Sequence, residues 1–231
     1  MTAMLMQPSS ALRGATAHLA DSLRAGHVYR REDLARLSNA VDRHLRELVS
    51  MGKLQKLAQG LYHAPKKSHF GLLPPSDEQV VRGFLRDKDF LVFSPSAYNS
   101  VGLGTTQLYN QTLVYNHKRH GIFRLGKRQF DFRVKPRFPK KLTQEFLYVD
   151  LLNNLEELAE DRESVRSQAR NKLPTFDATR LQHALDSFGN MATRKLVREW
   201  MSAMSIACSI CKKCKLTCSN RHITSGKSND S

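Results

Sequence analysis

The stretch SNAVDRHLRELVSMG, residues 38 to 52, restricts what this chain can build more than any other. Val41, Leu45, Leu48 and Val49 recur at spacings of four, three and one, which lays a single apolar stripe along a helix. Ser38 or Asn39 stands where an N-cap belongs, and Gly52 where a helix stops. Downstream, KLQKLA and LYHAPK flank a Gln59-Gly60 turn with alternating apolar and polar residues, the pattern of a tight β-hairpin. A helix this one-sided needs packing partners. Two helices upstream supply them. SSALRGATAHLADSLRAG puts Leu12, Ala15, Leu19 and Leu23 on one face, with Ser9 or Ser10 as cap and Gly26 as stop. RREDLARL turns Leu34 and Leu37 inward, and HVY between them reads as extended. Three helices and a hairpin in this order predict a winged helix-turn-helix over residues 1–70.

The chemistry follows from what the stripe leaves outside. Ser38, Asn39, Arg43, His44 and Arg46 occupy the start and outer face of the third helix. Asn and Arg are the residue types that reach base edges or phosphates when a helix enters the major groove. Lys53, Lys56 and Gln59 suit a wing lying along the DNA backbone. These residues form the candidate DNA-binding set. Their bland alternatives are a solvated helix face and a protein-docking module.

Charge favours DNA. The net charge is +16, and it is unevenly spread. Residues 1–75 hold eleven Lys and Arg against five acids, and residues 112–141 hold ten against one. The stretch from 142 to 205 is slightly acidic. Two basic patches separated by near-neutral protein suit a polyanion, bound through phosphate contacts and counterion release. In the second patch, Lys118, Arg119, Arg124, Lys127 and Arg128 alternate with Phe123, Phe130, Phe132 and Phe138. Phenylalanines at alternate positions fill the inner face of a sheet, which turns the cations outward.

The segment VYRREDLARLSNAVDRHLRELVSMGKLQKLAQGLYHAPK resembles the N-terminal domain of the AbiEi-type antitoxins of type IV toxin–antitoxin systems. The likeness is carried by Val41, Leu45, Leu48, Val49, Gly52, Leu54, Leu57, Ala58, Gly60, Leu61 and Tyr62. It continues through Pro74, Ser94, Ala97, Asn99, Gly102 and Leu103, weakens in the basic segment and is gone by residue 206. The resemblance implies a non-enzymatic transcriptional repressor. Its first domain would bind operator DNA, and its second would carry antitoxin activity. The partner would be a nucleotidyltransferase-like toxin, countered without a stable complex.

The residues after 70 predict a mixed domain over 71–205. PPSDEQVVRGFLR starts a helix capped by Ser76, FLVFS is a buried strand, and PSAYNSVGLG is a short helix between Pro95 and Gly102. TLVYN, GIFRLG and RQFDFRVK predict a small antiparallel sheet. Helices follow near 143–158, 160–171, 177–188 and 191–205. The expected class is α+β: a winged helix-turn-helix, then a mixed domain with a small antiparallel sheet and C-terminal helices. No nucleophile stands beside a base, and GLGTT lacks the residues of a phosphate-binding loop.

Residues 206–231 remain, a basic tail expected to be flexible. Cys208, Cys211, Cys214 and Cys218 follow a C-x2-C-x2-C-x3-C spacing, that of a ferredoxin iron–sulfur site. Zinc held by Cys208, Cys211 and Cys214 with Cys218 or His222 is the other reading. Against the cluster, no second cysteine set exists and Ser219 stands where proline normally follows; against both readings, the surroundings are polar. The expectation is no cofactor, with a metal- or iron–sulfur-sensing winged-helix regulator as the alternative. The N-terminus lacks the charged and apolar regions of a signal peptide, and no apolar run reaches membrane-spanning length. A cytoplasmic location is therefore expected.

Overall fold

The computed structural model describes residues 14–103, 111–157 and 161–218, with the backbone path alone from 205 to 218. Helix α1 spans Ala15–Asp21, strand β1 Val28–Arg30, α2 Arg31–Ala35 and α3 Val41–Ser50. Strands β2 (Gln55–Ala58) and β3 (Leu61–His63) follow. Helix, extended piece, helix, helix and hairpin thus come in the order expected. Leu12 and the proposed caps Ser9 and Ser10 lie outside the described residues. Leu37 does not turn inward: it is 57% exposed, while Leu34 alone anchors α2. A five-residue helix has only one buried position to offer.

Leu19, Leu34, Val41, Leu45, Leu48, Leu54 and Ala64 form one core, so the α3 stripe is covered by α1 and α2. The sheet in order β1-β3-β2 is antiparallel, pairing Val28 with His63 and Gln55 with His63. Successive side chains in a strand point to opposite faces. Tyr29 and Tyr62 accordingly pack on the helical core, while Val28, Leu57 and Leu61 pack on the other side.

That other side is a second core. Leu61 meets Val80, Val81, Leu85, Val114, Leu125, Phe130 and Phe132 there. Helix α4 (Asp77–Leu85) starts at Ser76, whose hydroxyl accepts from the Gln79 N–H at 3.3 Å. It lies so close to the small sheet that a Cβ on Gly83 would sit 3.0 Å from both Leu61 and Val28 side-chain carbons. Before it comes an unforeseen hairpin, β4 (Lys66–Ser68) and β5 (Gly71–Leu73), with Phe70 fully exposed near its tip.

Strand β6 (Phe90–Phe93) leads to a 3-10 turn at Pro95–Val101, then to β7 (Thr112–Asn116), β8 (Gly121–Leu125) and β9 (Arg128–Val134). The sheet order is β6-β7-β9-β8. The pairs β6–β7 and β8–β9 are antiparallel as expected, but one pair departs: β7 and β9 run parallel, Val114 beside Phe132, with β9 inserted between β7 and β8. Alternation sets which face is buried but not which strand is the neighbour. Buried continuously from Leu113 to Asn116, β7 behaves as a central strand covered on both faces. Phe130 and Phe132 are wholly buried and Phe123 packs against them, as the alternation implies.

Two compact units result. One is Met1–Ala97 with Gln107–Lys141; the other is Tyr98–Thr106 with Leu142–Ser231. No division falls near residue 70, because β3 serves both cores of the first unit. The second unit holds α5 (Gln144–Asn153), α6 (Arg162–Lys172), α7 (Ala178–Phe188) and α8 (Met191–Cys218). Thr143, Asp161 and Asp177 cap α5, α6 and α7. Helix α5 is buried from Phe146 to Leu152; Tyr98 donates to Asp150 at 2.8 Å and Tyr148 to the Ala169 carbonyl at 3.1 Å. Helix α8 does not end near 205 but continues to Cys218.

Candidate nucleic-acid interface

Helix α3 is held at both ends, which fixes what its outer face presents. At its start, Arg31 donates to Asp42 through Nε at 2.6 Å and a terminal nitrogen at 2.5 Å. That hydrogen-bonded contact holds the Asp42 carboxyl below its usual range and raises Arg31. The Arg31 N–H also donates to Gly60 O at 2.9 Å, tying the β2–β3 turn to the same place. Gly60 has φ 69°, a left-handed backbone that favours glycine. Further along α3, Thr16 of α1 donates to Glu47 at 2.6 Å.

The candidate residues divide on this frame. Asn39, Arg43, Arg46, Lys53, Lys56 and Gln59 are all exposed. Arg43 pairs with Glu47 at 3.9 Å, and Arg46 donates to the Asp42 carbonyl at 3.2 Å. Exposed pairs of this kind contribute about 0–1 kcal/mol, so either arginine can be redirected by a stronger partner. His44 is withdrawn from the set: it is buried, and its Nδ1 lies 2.7 Å from Ser38 Oγ. The same bond occupies Ser38, and Ala40 is the N-cap of α3, without a side-chain cap hydrogen bond. Polar residues at helical period can face inward when a partner is available, and period alone does not show the partner.

The second patch is partly neutralised. Lys118 pairs with Asp87 at 2.8 Å, and Arg128 pairs with Asp77. Asp87 is drawn down to about 2, first by the Lys118 hydrogen bond and then by the Asp89 N–H. Arg119 lies over the Phe84 ring, 4.8 Å from its centroid. Arg124 and Lys127 are exposed, with no ion pair among the described residues. The turn carrying Lys118 and Arg119 is organised by buried Asn116. Its Oδ1 accepts from the N–H groups of both residues at 2.8 and 2.7 Å, and its amide donates to Arg119 O at 2.9 Å.

The two patches, some seventy positions apart in sequence, meet in one unit. Gly126 N–H donates to Leu57 O at 2.7 Å, and Lys56, Lys127 and Arg128 line one cavity of about 420 Å³. No period or spacing in the sequence marks Arg30, Arg31, Arg86 and Asn116. Only the pairing partners across the fold reveal them.

Cys208, Cys211, Cys214 and Cys218 all fall on the backbone path of α8, where a rise of about 1.5 Å per residue sets Cys208 and Cys218 about 15 Å apart along the axis. His222 and Ser219 lie outside the described residues. Among the described residues, no helix is long and apolar enough to cross a membrane.

The model of a family of unknown function, DUF6088, matches residues 18–174, more than half of the chain. No curated protein and no solved structure matches.

Proposed function

The chain belongs to the DUF6088 family, and we propose that it is a double-stranded-DNA-binding transcriptional repressor, non-enzymatic, built on an N-terminal winged helix-turn-helix. One observation carries this reading. Arg43 and Arg46 stand exposed on α3, and Asn39 in the turn just before it, with the helix clamped through Asp42 to α2 and, by way of Arg31, to the β2–β3 turn. In this reading α3 enters the major groove, α2 crosses the backbone, and the β2–β3 turn with Lys53, Lys56 and Gln59 is the wing. The likeness of residues 28–66 to AbiEi-type antitoxins extends the proposal. The protein would act in the cytoplasm and repress a toxin–antitoxin operon. It would counter a nucleotidyltransferase-like toxin without a stable complex.

Fluorescence anisotropy of the full chain on duplex DNA tests the DNA reading. Arg43→Ala and Arg46→Ala are expected to leave the melting temperature unchanged. A lost base contact weakens binding by about 1–3 kcal/mol, and a lost phosphate contact lowers the salt dependence instead. Duplex affinity and salt dependence unaltered in both variants would remove α3 from the interface.

A further inference from the structure

We infer that Arg30, Arg86 and Arg119 form a clamp for the backbone phosphates of duplex DNA, beside the groove that α3 enters. The inference rests on the DNA reading above and adds a set of contacts outside the helix-turn-helix.

The three residues come from separate elements. Arg30 ends β1 and precedes α2, Arg86 is the C-cap of α4, and Arg119 sits in the β7–β8 turn. Burial, and then the charges of Arg86 and Arg119, push Arg30 below the ordinary arginine range, with Asp33 pulling the other way. Two contacts bring them together: Arg86 pairs with Glu32, two residues from Arg30, and Arg119 lies over Phe84, two residues from Arg86. Arginine does not discharge in proteins, so such a cluster is a standing repulsion. Nearby acids relieve it only at the surface: Glu32 pairs with Arg86, and both side chains are more than half exposed.

Two further features hold the cluster together at a conformational cost. Arg86 has φ 54° and ψ 41°, and it is the one non-glycine residue at positive φ among the described residues. Glycine is the usual choice at a left-handed helix end, because a Cβ is disfavoured there. A long cationic side chain kept at such a point suggests a task for that side chain. Arg119 is positioned twice, by its N–H bond to Asn116 and by the Phe84 face beneath its guanidinium. A ring contact of this kind leaves guanidinium N–H donors for a phosphate. Lys118 is fixed alongside, its Nζ 3.4 Å from Arg86 O.

The cluster is linked to the start of α3 through the residue after Arg30. Arg31, next to Arg30, holds Asp42 in the first turn of α3 and bonds the turn at Gly60. A duplex placed on α3 would bring its flanking phosphates toward Arg30. Arg86 and Arg119 then extend the footprint onto α4 and the four-stranded sheet.

The test is the salt dependence of binding to a fluorescein-labelled random-sequence duplex, measured by anisotropy. The full-length wild type is compared with Arg30→Gln, Arg86→Gly, Arg119→Gln and, on α7, Arg180→Gln. Each lost phosphate contact should reduce the slope of log K against log salt by about 0.9. Each cluster variant is expected to show this loss, and Arg180→Gln to match wild type. Arg86→Gly should melt no lower than wild type, since glycine suits the left-handed backbone, so its weaker binding is not unfolding. Slopes unchanged in the three cluster variants, or reduced equally in Arg180→Gln, overturn the clamp. A wild type that binds no duplex removes the DNA reading and the clamp together. Weakening by Arg43→Ala but not by the cluster variants removes the clamp alone. Inorganic phosphate titrated at constant ionic strength should show no saturable binding. Saturable binding lost in Arg119→Gln would give the cluster to a small phosphate ligand and overturn the DNA clamp.

Discussion

His63 sits on β3 wholly buried, and neither of its ring nitrogens has a hydrogen-bond partner among the described residues. Burial lowers its pKa below the ordinary histidine value of about 6.5. The unfolded chain therefore takes up the proton first as pH falls. The stability associated with neutral His63 is complete above about 6.5 and is lost as pH drops from there through the folded value. Melting temperature should fall on acidification across that window, and His63→Leu should flatten the fall. Identical pH profiles for the two proteins would mean that His63 is solvated or partnered. At this scale, period was a good guide to the outward arginines of α3 and a poor one to Ser38 and His44. An outward position follows from geometry alone, whereas an inward polar residue depends on a partner that the stripe does not encode. The same holds for Asn116, whose role is defined by three backbone groups brought to it by a turn.

Elements with a strong period and a clear stop were legible: α3 with its stripe and Gly52, α4 with Ser76, and the β2–β3 hairpin with its Gln59-Gly60 turn. Elements defined by pairing were not. The parallel match of β7 with β9 needs the chain to cross, and no alternation pattern records that. The β4–β5 hairpin leaves little pattern in the sequence, because its strands are three residues long and mostly exposed. Helix α8 runs on past Ser205 into a segment where lysines and cysteines blur the contrast between apolar and polar positions. Its N-terminal half does the packing in the second unit, where Thr193 and Val197 are buried. Truncation after Ser205 is therefore expected to leave the thermal transition, followed by circular dichroism, in place. Duplex binding should weaken only as far as removal of five cations and one acid implies. A lost or much lowered transition would show that the distal helix or the residues beyond it stabilise the fold.

For the whole molecule, the sheet shared by two cores decides how the chain can be divided. A boundary at residue 70 suited the sequence, because proline and a helix cap follow it. Yet Leu61 and Val28 close the core that Val80, Val81 and Phe132 begin. A fragment starting at residue 71 would leave that core open. It should bind an apolar dye strongly and lack the cooperative melting of the sheet; full cooperative unfolding without dye binding would show that the small sheet is dispensable. The antitoxin role proposed for this protein is accordingly better probed with point variants than by removing the first seventy residues.

The central claim is that α3 reads DNA sequence, and selection from a randomised duplex library tests it most directly. Full-length wild-type protein should enrich a defined motif. Arg43→Ala should lose discrimination at the contacted position while keeping its salt-dependent affinity for any duplex. A library that stays random after repeated rounds with wild type, or an identical motif with Arg43→Ala and Arg46→Ala, would contradict the account.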